Sequence, residues 1–311
     1  MNPIEPAASE WHGCFDVRGW SGQVVSESLS HPAKFAYGQI ERIVRHGLEQ
    51  GHWRPGDLIG DPFGGVGLGG IMAAYHGIRW LGVEVEPAYH AIGCDNFRMN
   101  RVRWETLGVP QPVIVLGDSR RLDEVLSQQG RAAWDAVITS PPYESVQLQQ
   151  NAGYWERKFE RYPELRHIQR PHGTNTLGAA PRYGWAEGQI GRFTGKRYRR
   201  MMTAVYSQTL AALRPGGVAA IVVRDYVRDG ERVPFADQIC ELLRAIGFEI
   251  FQRTRCMMVK ERRHPSLFGD EIVERREAKG FFRRLAEEHG APPIDWEEVL
   301  WCRRSTAGIP A

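Results

Sequence analysis

Short apolar runs alternate with amphipathic stretches along this chain. The runs at Asp57–Phe63, Arg79–Val85, Pro112–Leu116, Ala136–Thr139 and Val218–Val223 are short, mostly Val/Ile-rich, and each is closely followed by Gly, Pro or an acid. That pattern predicts buried strands. Between them the apolar positions fall at helical spacing. Helices are predicted over Ala36–Gln50, Gly69–His76, Ala88–Glu105, Leu122–Gln129, Arg197–Leu213 and Pro234–Ala245. Leu213-Arg214-Pro215-Gly216-Gly217 ends one helix and turns into the next strand. Such alternation builds βαβ units, so the fold class is α/β with a doubly wound, mostly parallel sheet. Phe248–Val259 and Glu297–Cys302 are expected to pair as an antiparallel hairpin at one edge of it.

Two stretches break the alternation. Residues 144–196 have little periodicity and many Gly, Pro, Arg, Tyr and Trp, and read as an insertion after the fourth strand. Residues 261–293 are charged and expected to be partly helical. The resulting organisation is an extension over 1–30, a main domain over 31–143 and 197–311, and an inserted segment over 144–196. Long irregular insertions in compact domains are usually functional or disordered.

Composition narrows the class. Hydrophobic residues make up 42% of the 311 and charged residues 25%, which is ordinary for a globular protein. No run approaches the ~20 apolar residues needed to span a bilayer. Met1–Glu10 has neither the basic start nor the apolar core of a secretory signal. Cys14, Cys94, Cys240, Cys256 and Cys302 are scattered and form no CxxC, which argues against a disulfide framework or a zinc site. A cytoplasmic location and no metal are therefore expected. Net charge is only +3, yet residues 154–200 alone hold 11 Lys or Arg against 4 Glu. Basic character is concentrated in one segment, which suggests a polyanionic partner.

The first strand runs into Asp61-Pro62-Phe63-Gly64-Gly65-Val66-Gly67-Leu68-Gly69-Gly70. A strand, a glycine turn and a helix start form a nucleotide-binding corner at the carboxyl edge of a sheet. Gly65, Gly67 and Gly70 match GxGxxG, with Glu84 about 20 residues on, so a dinucleotide enzyme also fits here. Asp61 argues otherwise. An acid just before the glycines would repel a pyrophosphate but suits a cofactor bearing an ammonium group. Glu84 is placed to accept from ribose hydroxyls, with Glu86 as the alternative, and Asp118 from an adenine amino group.

The fourth strand ends in Thr139-Ser140-Pro141-Pro142-Tyr143. Two prolines fix two φ angles and remove two donors, leaving a stiff loop with free carbonyls. An exocyclic amine is a poor nucleophile because its lone pair is delocalised into the ring. Acceptors aimed at both N–H groups, here the Ser140 hydroxyl and the Pro141 carbonyl, localise that lone pair. Tyr143 is placed to stack on the base. Methyl transfer then needs mainly positioning and stabilisation of charge on nitrogen.

These motifs resemble the DNA amino methyltransferases. Asp61-Pro62-Phe63-x-Gly65-x-Gly67 is similar to their Asp-Pro-Phe-x-Gly-Ser-Gly-Thr cofactor motif. Thr139-Ser140-Pro141-Pro142-Tyr143 resembles their catalytic loop in the Ser-Pro-Pro-Tyr form typical of N4-cytosine enzymes. His31-Pro32-Ala33-Lys34-Phe35 resembles their His-Pro-Ala-x-Phe element. The likeness covers roughly 31–143 and 197–260. It implies a class I methyltransferase (Rossmann-like) fold, S-adenosyl-L-methionine as cofactor, and Phe35, Asp61, Phe63, Gly65, Gly67, Glu84, Asp118 and Thr139 around it. Ser140, Pro141, Pro142 and Tyr143 are implied as catalytic. Val66, Leu68 and Gly69 replace Ser, Thr and Thr of the family pattern. The cofactor element, glycine loop and catalytic loop also come in one run, unlike the commoner permuted order.

The implied substrate is duplex DNA, with the target base flipped out of the stack. The insertion is the expected DNA contact, through Tyr154, Trp155, Arg157, Arg161, Arg182 and Arg192, since arginines neutralise phosphates or read guanine and aromatics stack on bases. A cognate restriction endonuclease is a candidate partner. Adenine N6 is the alternative target. RNA methyltransferase and dinucleotide-dependent oxidoreductase activities are remoter, because neither an RNA-binding module nor a Ser-Tyr-Lys set is visible.

Overall fold

The computed structural model describes residues 8–15, 18–31, 35–130, 133–144, 186–228, 230–265, 271–279, 284, 287–288 and 290–306. Strands β1 (Ala8–Trp11), β2 (Leu58–Asp61), β3 (Arg79–Glu84), β4 (Val113–Leu116), β5 (Trp134–Thr139), β6 (Leu213–Val223), β9 (Phe248–Met257) and β12 (Trp296–Arg304) make one sheet in the order β1-β9-β12-β6-β5-β2-β3-β4. From β4 through β3, β2 and β5 to β6 all neighbours are parallel. β12 runs antiparallel to both β6 and β9. This is the doubly wound, mostly parallel α/β sheet that the alternation of patterns predicts.

Helices cover both faces, as strands buried on two sides demand. α1 (Tyr37–Glu49), α2 (Leu68–Tyr75) and α3 (Pro87–Leu107) close one face around Ile40, Ile43, Ile71, Met72 and Trp104. α4 (Leu122–Gln128), α5 (Gly195–Ala212) and α6 (Phe235–Ile246) close the other around Leu122, Met202, Tyr206, Phe235 and Leu243. α2 starts at Gly67 in the left-handed region (φ 78°), a position that also holds off Phe97, whose ring a β-carbon would approach to 2.7 Å.

Two expectations are extended. The late strands pair antiparallel as expected. β12 lies inside, between β6 and β9, and β1 from the N-terminal segment adds parallel to β9, with Trp11 opposite Cys256. Four residues are too few to show periodicity, but they pair an otherwise open edge and bury Trp11. Of the charged stretch read as partly helical, residues 284 and 287–288 are helical, while β10 (Val259–Pro265) and β11 (Glu271–Glu277) form a hairpin. Opposite charges meet across it: Glu261 faces Arg275 at 2.9 Å. A second hairpin joins β7 (Tyr226–Arg228) to β8 (Glu231–Val233) just after β6. No helix among the described residues is long and apolar enough to cross a membrane.

Gly47 lies inside α1, where alanine is favoured by about 1 kcal/mol on propensity alone. A β-carbon there would sit 1.9 Å from the ring of Trp53, which is fully buried. Packing therefore outweighs propensity, and Gly47→Ala is expected to lower the melting temperature, with a cost of about 1–3 kcal/mol. A stabilised variant in thermal unfolding contradicts this packing.

Candidate functional site

A cavity of about 530 Å³ opens at the carboxyl ends of the parallel strands. It lies where β2 has β3 on one side and β5 on the other, the switch point at which a doubly wound sheet leaves a crevice. The ends of β2, β3, β5 and β6 and the loops after them supply its walls.

Asp61 ends β2 and is almost fully buried. Its Oδ1 accepts from the Phe63 amide at 2.9 Å and from the Thr139 hydroxyl at 2.6 Å. Burial pushes its carboxyl up to about 7, against the pull of those two bonds. Glu84, at the end of β3, accepts from the Gly65 amide and from the Glu86 amide, each at 2.8 Å. Burial likewise raises it to about 7, helped by the charges of Glu86 and Asp61. Gly65 holds φ 55° and passes close to His31, so its amide can reach Glu84.

Of the two acids on β3's end, Glu84 lines the cavity. Glu86 instead accepts from the Ala186 amide and the Gln189 side chain, at 3.0 and 3.1 Å. Asp118 lines the cavity and is gripped by Arg120. Burial works to raise Asp118, but the bonds and charge of Arg120 prevail and hold it below the usual carboxylate range. Gly188 passes over it so closely that a β-carbon would stand 2.9 Å from Asp118 Oδ2.

Ser140, Pro141, Pro142 and Tyr143 line the same cavity. The Pro142 carbonyl accepts from Tyr198 at 2.7 Å, which anchors the loop to the helix over 195–212. Tyr143 leans on Phe235 and Tyr226, with ring centres 5.2 and 6.0 Å away. Glu144 is fixed by Arg228 at 3.2 Å. Phe35 and Phe63 line the cavity, while Thr139 and Gly67 act behind its wall. Arg192 closes a short turn, Ile190–Arg192, and does not line the cavity. Tyr154, Trp155, Arg157, Arg161 and Arg182 lie outside the described residues. Among those described, no cluster of three His, Cys, Asp or Glu could hold a metal.

Some lining residues carry no motif. Gln39 comes from α1, Tyr89 from α3, Arg224 and Tyr226 follow β6, and Glu297 lies on β12. Position alone marks Glu144, just beyond the Ser-Pro-Pro-Tyr loop, and Arg224, just beyond β6; no residue pattern does.

Comparison with known proteins agrees with the motifs. Residues 7–94 match the family described as DNA methylase. The Type II methyltransferase M.PvuII of Proteus hauseri is 29% identical over 97 residues, which span 31% of this chain and 27% of that one. The resemblance to the DNA amino methyltransferases is thereby borne out. Among solved structures, TrmN from Thermus thermophilus covers 92% of this chain and 52% of its own (12% identity, TM-score 0.44). A SAM-dependent methyltransferase from Methanosarcina mazei covers 83% of this chain and 97% of its own (10% identity, TM-score 0.41).

A raised folded-state pKa makes ionised Asp61 a burden on the apo fold. Its contribution is favourable below the unfolded value of 3.8 and is lost as pH rises toward 7. Asp61→Asn keeps the acceptor oxygen and drops the charge. It is expected to be more stable than the parent protein at pH 8, by on the order of 1 kcal/mol or more, with the gap closing toward pH 4 in urea melts. A gap that widens toward acid contradicts the assignment.

Proposed function

We propose that this protein is a DNA methyltransferase that moves a methyl group from S-adenosyl-L-methionine to the exocyclic amine of a flipped base, cytosine N4. The observation that carries the reading is the Thr139–Asp61 hydrogen bond, which joins the acid before the glycine turn to the Ser-Pro-Pro-Tyr loop on one cavity.

The residues fit the cofactor. A near-neutral, buried carboxyl at Asp61 is a receptor for an ammonium group, which would draw it back to the charged form. Glu84 keeps carboxylate lone pairs free beside its two amide bonds, which suits vicinal ribose hydroxyls. Asp118, beneath Gly188, is an acceptor for an adenine amino group, and Phe35 and Phe63 supply apolar walls. When bound, the cofactor supplies an electrophilic methyl group.

The chain's own residues then prepare the amine. Tyr198 anchors the Pro142 carbonyl, and the acceptors for the amino group are the Ser140 hydroxyl and the Pro141 carbonyl. They hold both N–H groups, localise the lone pair and stabilise the charge that develops on nitrogen. Tyr143, braced by Phe235, presents a ring for stacking. The proton becomes acidic only as the new bond forms, so it can leave to water and no strong base is required. Duplex DNA is the expected partner, held through the basic, aromatic segment that includes Arg192, and a cognate endonuclease is a further candidate. Adenine N6 is the second reading, since the same acceptors grip either amino group.

Labelled S-adenosylmethionine and unmodified DNA, digested to nucleosides and separated by mass spectrometry, test this directly. N4-methylcytosine is expected. N6-methyladenine would shift the reading to the alternative target, and label in RNA alone would overturn it. Tyr143→Ala is expected to lose methyl transfer, roughly 10- to 100-fold for the stacking alone, with cofactor binding retained in calorimetry. Loss of cofactor binding would show that Tyr143 serves the other end of the cavity.

A further inference from the structure

One charged group in the cavity has no part in the chemistry above. Arg224 is the first residue beyond β6 and lines the same cavity as Ser140 and Tyr143. Its Nη1 lies 3.0 Å from Glu297 Oε1 on β12. Glu297 Oε2 in turn accepts from Gln39 Nε2 of α1 at 2.9 Å. Gln39 is 1% exposed, so this is a built cluster rather than a surface pair. Arg224 also contacts Tyr143, the residue placed to stack on the base. Three elements remote in sequence thus fix one guanidinium beside the catalytic loop.

A strut would bury its charge and spend its donors on its partner. Arg224 instead keeps 38% of its side-chain surface exposed. A guanidinium has five N–H donors in a planar fork, and the contacts to Glu297 and to the Tyr143 hydroxyl do not use them all.

We propose that Arg224 reads the ring acceptors of the flipped base and so selects cytosine over adenine. The inference rests on the methyltransferase reading of this cavity. Along the edge of cytosine the amino group is followed by N3 and then O2, both acceptors. Along that of adenine it is followed by N1 and then a C–H. With the amino group held by Ser140 and Pro141, a forked donor beside them satisfies N3 and O2 together. Adenine leaves one donor facing a C–H, and a site built to hydrogen-bond rejects the partner that lacks the acceptor. Glu297 has a second effect. Its negative charge offsets the guanidinium, so the cluster does not oppose the positive charge that develops on the amino nitrogen.

The test compares the parent protein with Arg224→Gln and Arg224→Lys. Each is assayed for N4-methylcytosine and N6-methyladenine on unmodified DNA, for cofactor binding, and for melting temperature. Arg224→Gln is expected to bind the cofactor normally and to form N4-methylcytosine about 30-fold more slowly, with a higher share of N6-methyladenine. Arg224→Lys keeps the ion pair with Glu297 but not the fork, and is expected to lose cytosine selectivity while folding normally. Should Arg224→Gln fail to fold, the lysine variant decides. Unchanged product ratio and rate in either folded variant, or an equal loss of cofactor binding and transfer, overturns the proposal. A parent protein that makes only N6-methyladenine overturns it while leaving methyl transfer standing. A parent protein that labels no DNA overturns the function itself.

Discussion

The Thr139–Asp61 hydrogen bond is the contact on which the site depends. The paired residues between β2 and β5 are Ile59 with Ala136 and Gly60 with Val137, so the backbone ladder stops short of both strand tips. Beyond it the tips are joined by a buried 2.6 Å bond between side chains. Asp61 leads directly into the glycine turn, and Thr139 leads directly into the Ser-Pro-Pro-Tyr loop. A donor fixed on Asp61 Oδ1 also orients the carboxyl, leaving its other oxygen toward the start of α2, where Gly69 admits it closely. One bond therefore fixes the relative position of the proposed cofactor and base ends of the cavity.

The cavity has two unlike halves. Around Glu84 and Asp61 the acids are buried and pushed toward neutrality, and Asp118 alone is held charged by a neighbouring arginine. Around Tyr143 the walls are aromatic, with charges paired as Arg224–Glu297 and Arg228–Glu144. An unpaired buried acid favours a cation, whereas a paired cluster favours a neutral, hydrogen-bonding ring. The division matches a cationic donor at one end and a base at the other.

Much of this was legible in the sequence, for a physical reason. Strands buried on both faces, such as β2 and β5, must read as continuous apolar runs, and the residues at their tips meet in one crevice. Asp61, Glu84, Asp118 and Ser140–Tyr143 are all of that kind. What escaped was set by tertiary pairing. β1 gains its place only because the edge of β9 needs a partner, and the β10–β11 hairpin rests on cross-strand charges that look equally helical in one dimension. Arg224, Glu297 and Gln39 come from three distant elements and form a cluster only after folding. The expected DNA-contacting side chains at 154–182 lie outside the described residues.

The proposed cofactor end depends on Asp61, a buried carboxyl raised toward neutrality, receiving a cation. Titration of the protein with S-adenosylmethionine near pH 7, in buffers of different ionisation enthalpy, measures it. Burial raises Asp61 to about 7 without ligand, so a share of it is protonated there. A bound ammonium lowers Asp61, and binding is expected to release protons, with affinity weakening as pH falls below 7. A binding enthalpy independent of buffer, or uptake of a proton, would contradict the account.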